Sequence, residues 1–230
     1  MTDEPTDTST VVSTEPPSLE AVTRFRVAVI SIVAVVLLAA GIVVAVVGDR
    51  GSDRPDAFVD LARPLELPAV VLTDTTGEPY DLRAEGDGVV TLLYFGYLNC
   101  PDVCPIHMAV LGATFGSLPT SIRERLRVVF VTTDPDRDDP VAIRRYLDRF
   151  DESFVGLTGS ADALREAQVA AGVPVAVIEP TDEDGDYLVG HATQVLVFES
   201  DGVARRVYPF GVRQSDWADD LVDLVERGTS

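Results

Sequence analysis

Two cysteines carry the clearest chemistry of this chain. Cys100 and Cys104 are its only cysteines and are separated by three residues, so neither has another partner in the sequence. The apolar run at residues 89–95 predicts a buried strand before them, and Pro105 suits the first turn of a helix after them. A structural disulfide closing so short a loop would add little stability. The layout therefore favours thiol chemistry over scaffolding.

Two kinds of chemistry fit this pair of thiols. A helix start lowers the pKa of a nearby thiol, and the thiolate is the reactive form both for disulfide exchange and for metal ligation. The usual thiol-oxidoreductase spacing has two residues between the cysteines, whereas here there are three, one of them the acidic Asp102. Two soft sulfurs with one imidazole suit copper, and Cu(I) especially, whereas structural zinc sites usually take four protein ligands.

A third metal ligand would have to be one of the two histidines. His107 lies inside the predicted helix beside Met108, where a partly exposed histidine and a methionine in the core are the ordinary interpretation. His191 lies in a predicted loop immediately before a strand, which is a common place for functional residues.

The composition excludes several functions. The net charge of −20 argues against a nucleic-acid partner, because phosphates would repel the chain. All 18 basic residues are arginine, so no lysine is available for Schiff-base or general-base catalysis. The acidic side chains are interpreted mainly as a solvated surface.

The N-terminal part divides into three predicted segments. Residues 1–23 are polar and acidic and predict a disordered tail. Residues 24–48 predict a single-pass transmembrane anchor, since their uncharged stretch would span about 33 Å as a helix. A cleaved signal peptide fits less well, because it would follow a short basic head. Residues 49–65 predict a tether. Arginines flank both ends of the anchor, so they do not decide its orientation in the membrane. We expect the N-terminus inside, because the large domain then faces a compartment where the cysteines can be redox-active.

The order of elements in residues 66–230 predicts an α/β domain. A leading strand is followed by alternating strands and helices, then by a hairpin and a final helix, and this is the order of a thioredoxin-like fold. The predicted strands lie near residues 68–72, 89–96, 127–132, 173–178, 194–198 and 203–208. The predicted helices lie near residues 105–115, 140–150, 161–171 and 215–227.

The sequence resembles the SCO/SenC family of membrane-tethered, thioredoxin-like copper proteins that serve cytochrome c oxidase assembly. The likeness is carried by the run at residues 95–105 with its cysteines and prolines, by the strand-end motif at residues 131–138, and by the histidine before a strand. It extends over residues 66–226. One departure is Gly190, where the family commonly has an aspartate before the ligand histidine. Asp134 lies in the second motif and is interpreted first as a former of the turn after the strand.

The resemblance implies a copper ion held by Cys100, Cys104 and His191. It also implies an extracytoplasmic domain on a cell-membrane anchor and, as partner, the copper-site subunit of cytochrome c oxidase. The leading hypothesis is therefore a copper metallochaperone, which is not an enzyme. The alternative is a membrane-tethered thiol–disulfide reductase that uses the same cysteines and does not need His191.

Overall fold

The computed structural model describes residues 32, 35–38, 57–180 and 187–228. The chain divides into two compact units, Met1–Pro55 and Asp56–Ser230. In the first unit the described residues are helical, and no described helix is long and apolar enough to cross a bilayer. The predicted tail, almost all of the predicted anchor and residues 49–56 of the predicted tether lie outside the described residues.

The second unit is built on one large β-sheet and one small one. The described strands are β1 (Val59–Glu66), β2 (Val71–Asp74), β3 (Pro79–Asp81), β4 (Val90–Gly96), β5 (Leu126–Thr132), β6 (Val155–Thr158), β7 (Val177–Pro180), β8 (Tyr187–Gly190), β9 (Val195–Phe198) and β10 (Val203–Tyr208). Eight of them form a sheet in the order β1-β10-β9-β4-β5-β6-β2-β3, and β7 pairs with β8 alone. Strands β4, β5 and β6 are parallel, whereas β9 runs antiparallel to β4.

Six helices accompany these strands in the described part of this unit. They are α1 (Leu82–Gly86), α2 (Val103–Ser117), α3 (Thr120–Arg123), α4 (Pro140–Leu147), α5 (Ala161–Ala170) and α6 (Gln214–Arg227). Helix α4 begins where the Asp139 carboxylate accepts a hydrogen bond from the backbone N–H of Ala142 at 2.7 Å, and Pro140 follows the cap. Ser160 caps α5, where its hydroxyl accepts a hydrogen bond from the N–H of Ala163.

The central strands are buried on both faces of the large sheet. Every residue of β4 is buried, and its side chains alternate between two core clusters. Leu92 and Tyr94 belong to the first cluster with residues of α2 and α6, whereas Leu93 and Phe95 belong to the second with residues of α5. This arrangement confirms the predicted α/β layering, which places the first turn of α2 at the carboxyl end of β4.

Three predicted segments differ from the structure. The strand predicted at residues 68–72 begins only at Val71 and extends to Asp74. Part of the predicted tether forms β1, an edge strand paired with β10. Packing explains the difference, because the Phe58 ring lies 5.8 Å from the Tyr208 ring and the Arg206 guanidinium carbon lies 3.9 Å from the Phe58 centroid. The strand predicted at residues 173–178 begins only at Val177, because the N–H of Ala176 donates instead to the Gln168 side chain at 2.7 Å.

Two glycines of α2 predict opposite responses to alanine. A Cβ at Gly112 would lie 2.8 Å from the carbonyl oxygen of Phe150, whereas a Cβ at Gly116 would meet nothing within 4 Å. We expect Gly112→Ala to lower the free energy of unfolding by about 1–3 kcal/mol through overpacking. Gly116→Ala is the matched control and should leave stability unchanged or raise it by up to about 1 kcal/mol. Urea denaturation measures both, and equal effects would contradict the described packing of α2 against Phe150.

Candidate metal centre

Three sequence-predicted residues meet at one edge of the large sheet. Strand β4 ends at Gly96, and the chain turns through Cys100 into α2, where Cys104 is the second residue. Strand β8 ends at Gly190, and His191 follows it directly. The sequence placed all three near element ends, and the fold brings those ends together.

The three side chains form a compact group of ligand atoms. The Sγ atoms of Cys100 and Cys104 and a ring nitrogen of His191 lie within 4.8 Å of one another, and both cysteines are free thiols. Cys104 Sγ lies 3.4 Å from His191 Nε2. His191 Nδ1 lies 2.8 Å from the carbonyl oxygen of Ala192, which can only accept, so Nδ1 carries the proton. Nε2 is therefore the ring nitrogen that can offer a lone pair to a metal ion, and it lies beside the sulfur.

Cys104 lies at the buried side of this group. Its side chain is fully buried, and the hydroxyl of Tyr94 donates to its Sγ at 3.4 Å. A Cβ at Gly96 would lie 2.8 Å from the same sulfur, so only glycine leaves room for the thiol at the end of β4. Cys100 and His191 are half-buried, and the group is therefore reached through them.

The pKa values of the two thiols are shifted in opposite directions. A hydrogen bond from Cys104 is the main cause that lowers the pKa of Cys100 to about 4, and the backbone N–H of Cys104 also donates to its sulfur at 3.5 Å. The pKa of Cys104 is raised, first because it gives its hydrogen bond to Cys100 and second because it is buried. Near neutral pH the pair therefore holds one thiolate, at Cys100, and one thiol, at Cys104.

The donor set fits a soft metal ion. Thiolate sulfur and imidazole nitrogen are the ligands that Cu(I) prefers, and the described residues bring only three such atoms together here, short of the four of a usual structural zinc site. Binding would release the Cys104 proton, because a coordinating thiol is deprotonated.

The second histidine does not join this group. His107 is buried, with its ring 5.1 Å from that of Tyr94 and 5.2 Å from that of Phe210. Burial lowers its pKa to about 4, so it is neutral at pH 7. The prediction that it is partly exposed is wrong, because Phe210 from the loop after β10 covers it. Met108 lies in the core as predicted.

A cluster that the sequence did not reveal fixes the strand before His191. The guanidinium carbon of Arg137 lies 3.5 Å from the centroid of the Tyr187 ring, and Arg137 donates to the Tyr187 carbonyl at 3.1 Å. The Tyr187 hydroxyl and the Arg137 guanidinium both donate to the Asp134 carboxylate. Asp134 thus ties β8 to the end of β5, beyond the turn-forming role predicted for it.

Asp138 holds the loop that carries Cys100. It is 1% exposed, and one carboxylate oxygen accepts from the N–H of Leu98 at 3.1 Å and from the Thr132 hydroxyl at 2.6 Å. The strand-end motif therefore supports both sides of the site, because Asp134 reaches the strand before His191 and Asp138 reaches the loop before Cys100.

Gly190 accommodates a neighbouring carboxylate. A Cβ at this position would lie 2.5 Å from Glu179 Oε1 on β7. The Glu179 side chain thus occupies the space above Gly190, next to His191 in sequence. Position 190 has no carboxylate of its own, but the Glu179 carboxylate from the paired strand β7 lies beside it.

Comparison with known proteins gives a consistent result. The family described as SCO1/SenC matches residues 66–226. The mouse protein named "Protein SCO2 homolog, mitochondrial" is 33% identical over 157 residues, which cover 68% of this chain and 59% of that protein. The chain thus spans less than two thirds of the length of this relative.

Solved structures share the fold. Apo Sco1 of Thermus thermophilus is 32% identical with a TM-score of 0.66, over 75% of this chain and 99% of that one. Bradyrhizobium japonicum ScoI with copper bound is 30% identical with a TM-score of 0.61, over 70% of this chain and 99% of that one. The similarity confirms the α/β, thioredoxin-like fold predicted for the domain.

The low pKa of Cys100 predicts an unusual pH profile of alkylation. Only the thiolate reacts with iodoacetamide, so the rate at Cys100 should stay nearly constant from pH 8 to pH 5 and fall only as the pH approaches about 4. An ordinary thiol would slow about tenfold per unit below pH 8. Cys104→Ala removes the main cause of the shift and should move the midpoint of the profile upward. Mass spectrometry of the modified peptide measures the rate, and an ordinary profile for the metal-free protein would contradict the described contact.

The contact between Arg137 and Tyr187 predicts an effect on copper affinity at a distance. Tyr187→Ala removes the cation–π contact and the hydrogen bond to Asp134, so the beginning of β8 loses its support. We expect copper affinity to fall about fivefold, equivalent to about 1 kcal/mol. Ile178→Ala, at an exposed position of the same hairpin, is the control and should change little. Competition titration with a Cu(I) chelator measures both, and equal affinities would show that the contact does not position His191.

Proposed function

Because this chain belongs to the SCO1/SenC family, we propose that it is a membrane-anchored copper metallochaperone that delivers copper to cytochrome c oxidase during assembly. The observation that carries the proposal is the grouping of Cys100, Cys104 and His191, whose ligand atoms lie within 4.8 Å of one another. The described residues bring no other His, Cys, Asp or Glu into such a group.

The geometry suits an ion that must be both held and released. Cys104 anchors the site from the buried side, whereas Cys100 and His191 are half-buried and accessible to a partner's ligands. Copper is the cargo, and its transfer exchanges coordination bonds without making or breaking a covalent bond in a substrate. The protein is therefore proposed not to be an enzyme.

The proposed location follows from the N-terminal sequence and the family resemblance. The uncharged stretch within residues 24–48 supports a single-pass anchor in the cell membrane, with the C-terminal domain on the extracytoplasmic side. The proposed recipient is the copper-site subunit of cytochrome c oxidase, which an anchored donor would meet by diffusion in the plane of the membrane.

The state of the two thiols favours a second candidate function. A thiolate at Cys100 beside a thiol at Cys104 could reduce a partner disulfide. Cys100 would attack one partner sulfur and release the other as a thiolate. Cys104 would then displace the first, leaving an intramolecular disulfide here and two thiols on the partner. This reaction does not require His191.

Copper titration tests the metallochaperone function. The reduced protein should bind one copper ion per chain, and Cys100→Ala/Cys104→Ala should abolish binding. His191→Ala should weaken binding by more than about tenfold, since even changes outside the ligand shell cost about 10–100-fold. His107→Ala replaces the other histidine and should retain wild-type affinity, with a thermal melt to show that it folds. Equal copper binding by the wild type and the double cysteine variant would overturn the proposal.

A reductase assay on the same variants separates the two functions. If His191→Ala loses copper delivery to an apo copper-site subunit but reduces a partner disulfide at the wild-type rate, copper transfer is the function that uses the whole site. If His191→Ala delivers copper as the wild type does, and only the cysteine variants lose the reduction of the partner disulfide, the reductase alternative is correct.

A further inference from the structure

A cavity of about 400 Å³ lies beside the loop that carries Cys100. Leu98 and Asn99 of that loop line one part of it, and Asp138, Arg145 and Arg149 line others. We propose that this cavity, called here the arginine pocket, binds an acidic peptide segment of the protein that receives copper. The proposal rests on the metallochaperone function and adds the chemistry by which the partner is recognised.

The arginines of the pocket support an acidic ligand, because three of them line it against one carboxylate, Asp138. Arg145 and Arg149 make no ion pair with any carboxylate among the described residues, although most other described arginines do. The domain around them is strongly acidic, with 16 arginines against 33 acidic residues, a net of −17, in residues 49–230. Two such arginines at one cavity can take a carboxylate from outside the chain.

The two guanidinium groups are also placed to act together. Arg145 lies in the last turn of α4 and Arg149 follows two residues after the helix ends, and both line the same cavity. The Arg149 guanidinium carbon lies 4.7 Å from the centroid of the Tyr146 ring, and its Nε donates to the Tyr146 carbonyl at 3.3 Å. These contacts limit the freedom of Arg149 before a ligand binds, which lowers the entropy cost of forming a charge-assisted hydrogen bond.

Asp138 favours a peptide over a simple anion. One of its oxygens accepts from Leu98 and Thr132, whereas Oδ1 is buried and has no hydrogen-bond partner among the described residues. An unsatisfied buried acceptor is costly, so a ligand that also brings an N–H donor to this cavity would gain from it. Arg137 adds little net attraction, because its charge is balanced by Asp134. A peptide carries both a carboxylate and N–H donors.

The position of the pocket connects it to copper transfer. Its occupant would contact Leu98 and Asn99, and Asn99 immediately precedes Cys100. Elsewhere the acidic surface would repel an acidic partner, so the pocket would fix the orientation in which such a partner approaches. An acidic segment seated here would bring the partner to the accessible side of the site.

Titration of the full-length protein in detergent with acetyl-hexaglutamate amide tests the proposal. Calorimetry should show binding, and Arg145→Gln/Arg149→Gln should weaken it about tenfold or more, equivalent to about 1.4 kcal/mol, because the charge-assisted hydrogen bonds to the peptide carboxylates are lost. Arg63→Gln/Arg165→Gln is the matched control, because it removes the same charge from two exposed arginines that also have no carboxylate partner among the described residues. It should bind the peptide as the wild type does.

Three results would overturn the proposal. In the first, both double variants weaken peptide binding equally, which would indicate a general charge effect. In the second, free glutarate binds with the same affinity as the peptide. In the third, acetyl-hexaglutamine amide binds as tightly as the hexaglutamate peptide. Copper stoichiometry is measured in parallel and should be unchanged in Arg145→Gln/Arg149→Gln. If the wild type itself does not bind copper, the metallochaperone function is overturned instead, so the two failures are distinguishable.

Discussion

The packing of one buried sulfur sets the geometry of the whole site. Cys104 Sγ is closed in by Tyr94 and by the end of β4, where Gly96 leaves the space it needs. With that side filled, the sulfur can meet another ligand atom only from the direction of Cys100 and His191. The contact of 3.4 Å to His191 Nε2 is therefore the one on which metal binding depends.

That contact joins residues 87 positions apart, so it depends on how the intervening chain is held. Asp134 at the end of β5 binds both Arg137 and Tyr187, which fixes the beginning of β8. Asp138, four residues later, fixes the loop before Cys100. One short segment thus supports both halves of the site, and the Nδ1–H of His191 completes the arrangement by donating to the Ala192 carbonyl.

Local sequence was sufficient to predict the parts of this arrangement that depend on neighbouring residues. The cysteine spacing, Pro105 and the apolar run of β4 act over a few positions, and the strand and the helix that they predict are present. The strand β1 was missed because its stability comes from pairing with β10 at the other end of the domain. The cluster of Arg137 with Tyr187 was missed for the same reason, since neither residue has a local signal that names the other.

X-ray absorption at the copper edge tests the central claim most directly. The copper-loaded wild type should show two sulfur scatterers and one imidazole nitrogen, and His191→Ala should lose the nitrogen contribution while keeping both sulfurs. An unchanged spectrum in His191→Ala, or a spectrum with only one sulfur in the wild type, would contradict the account.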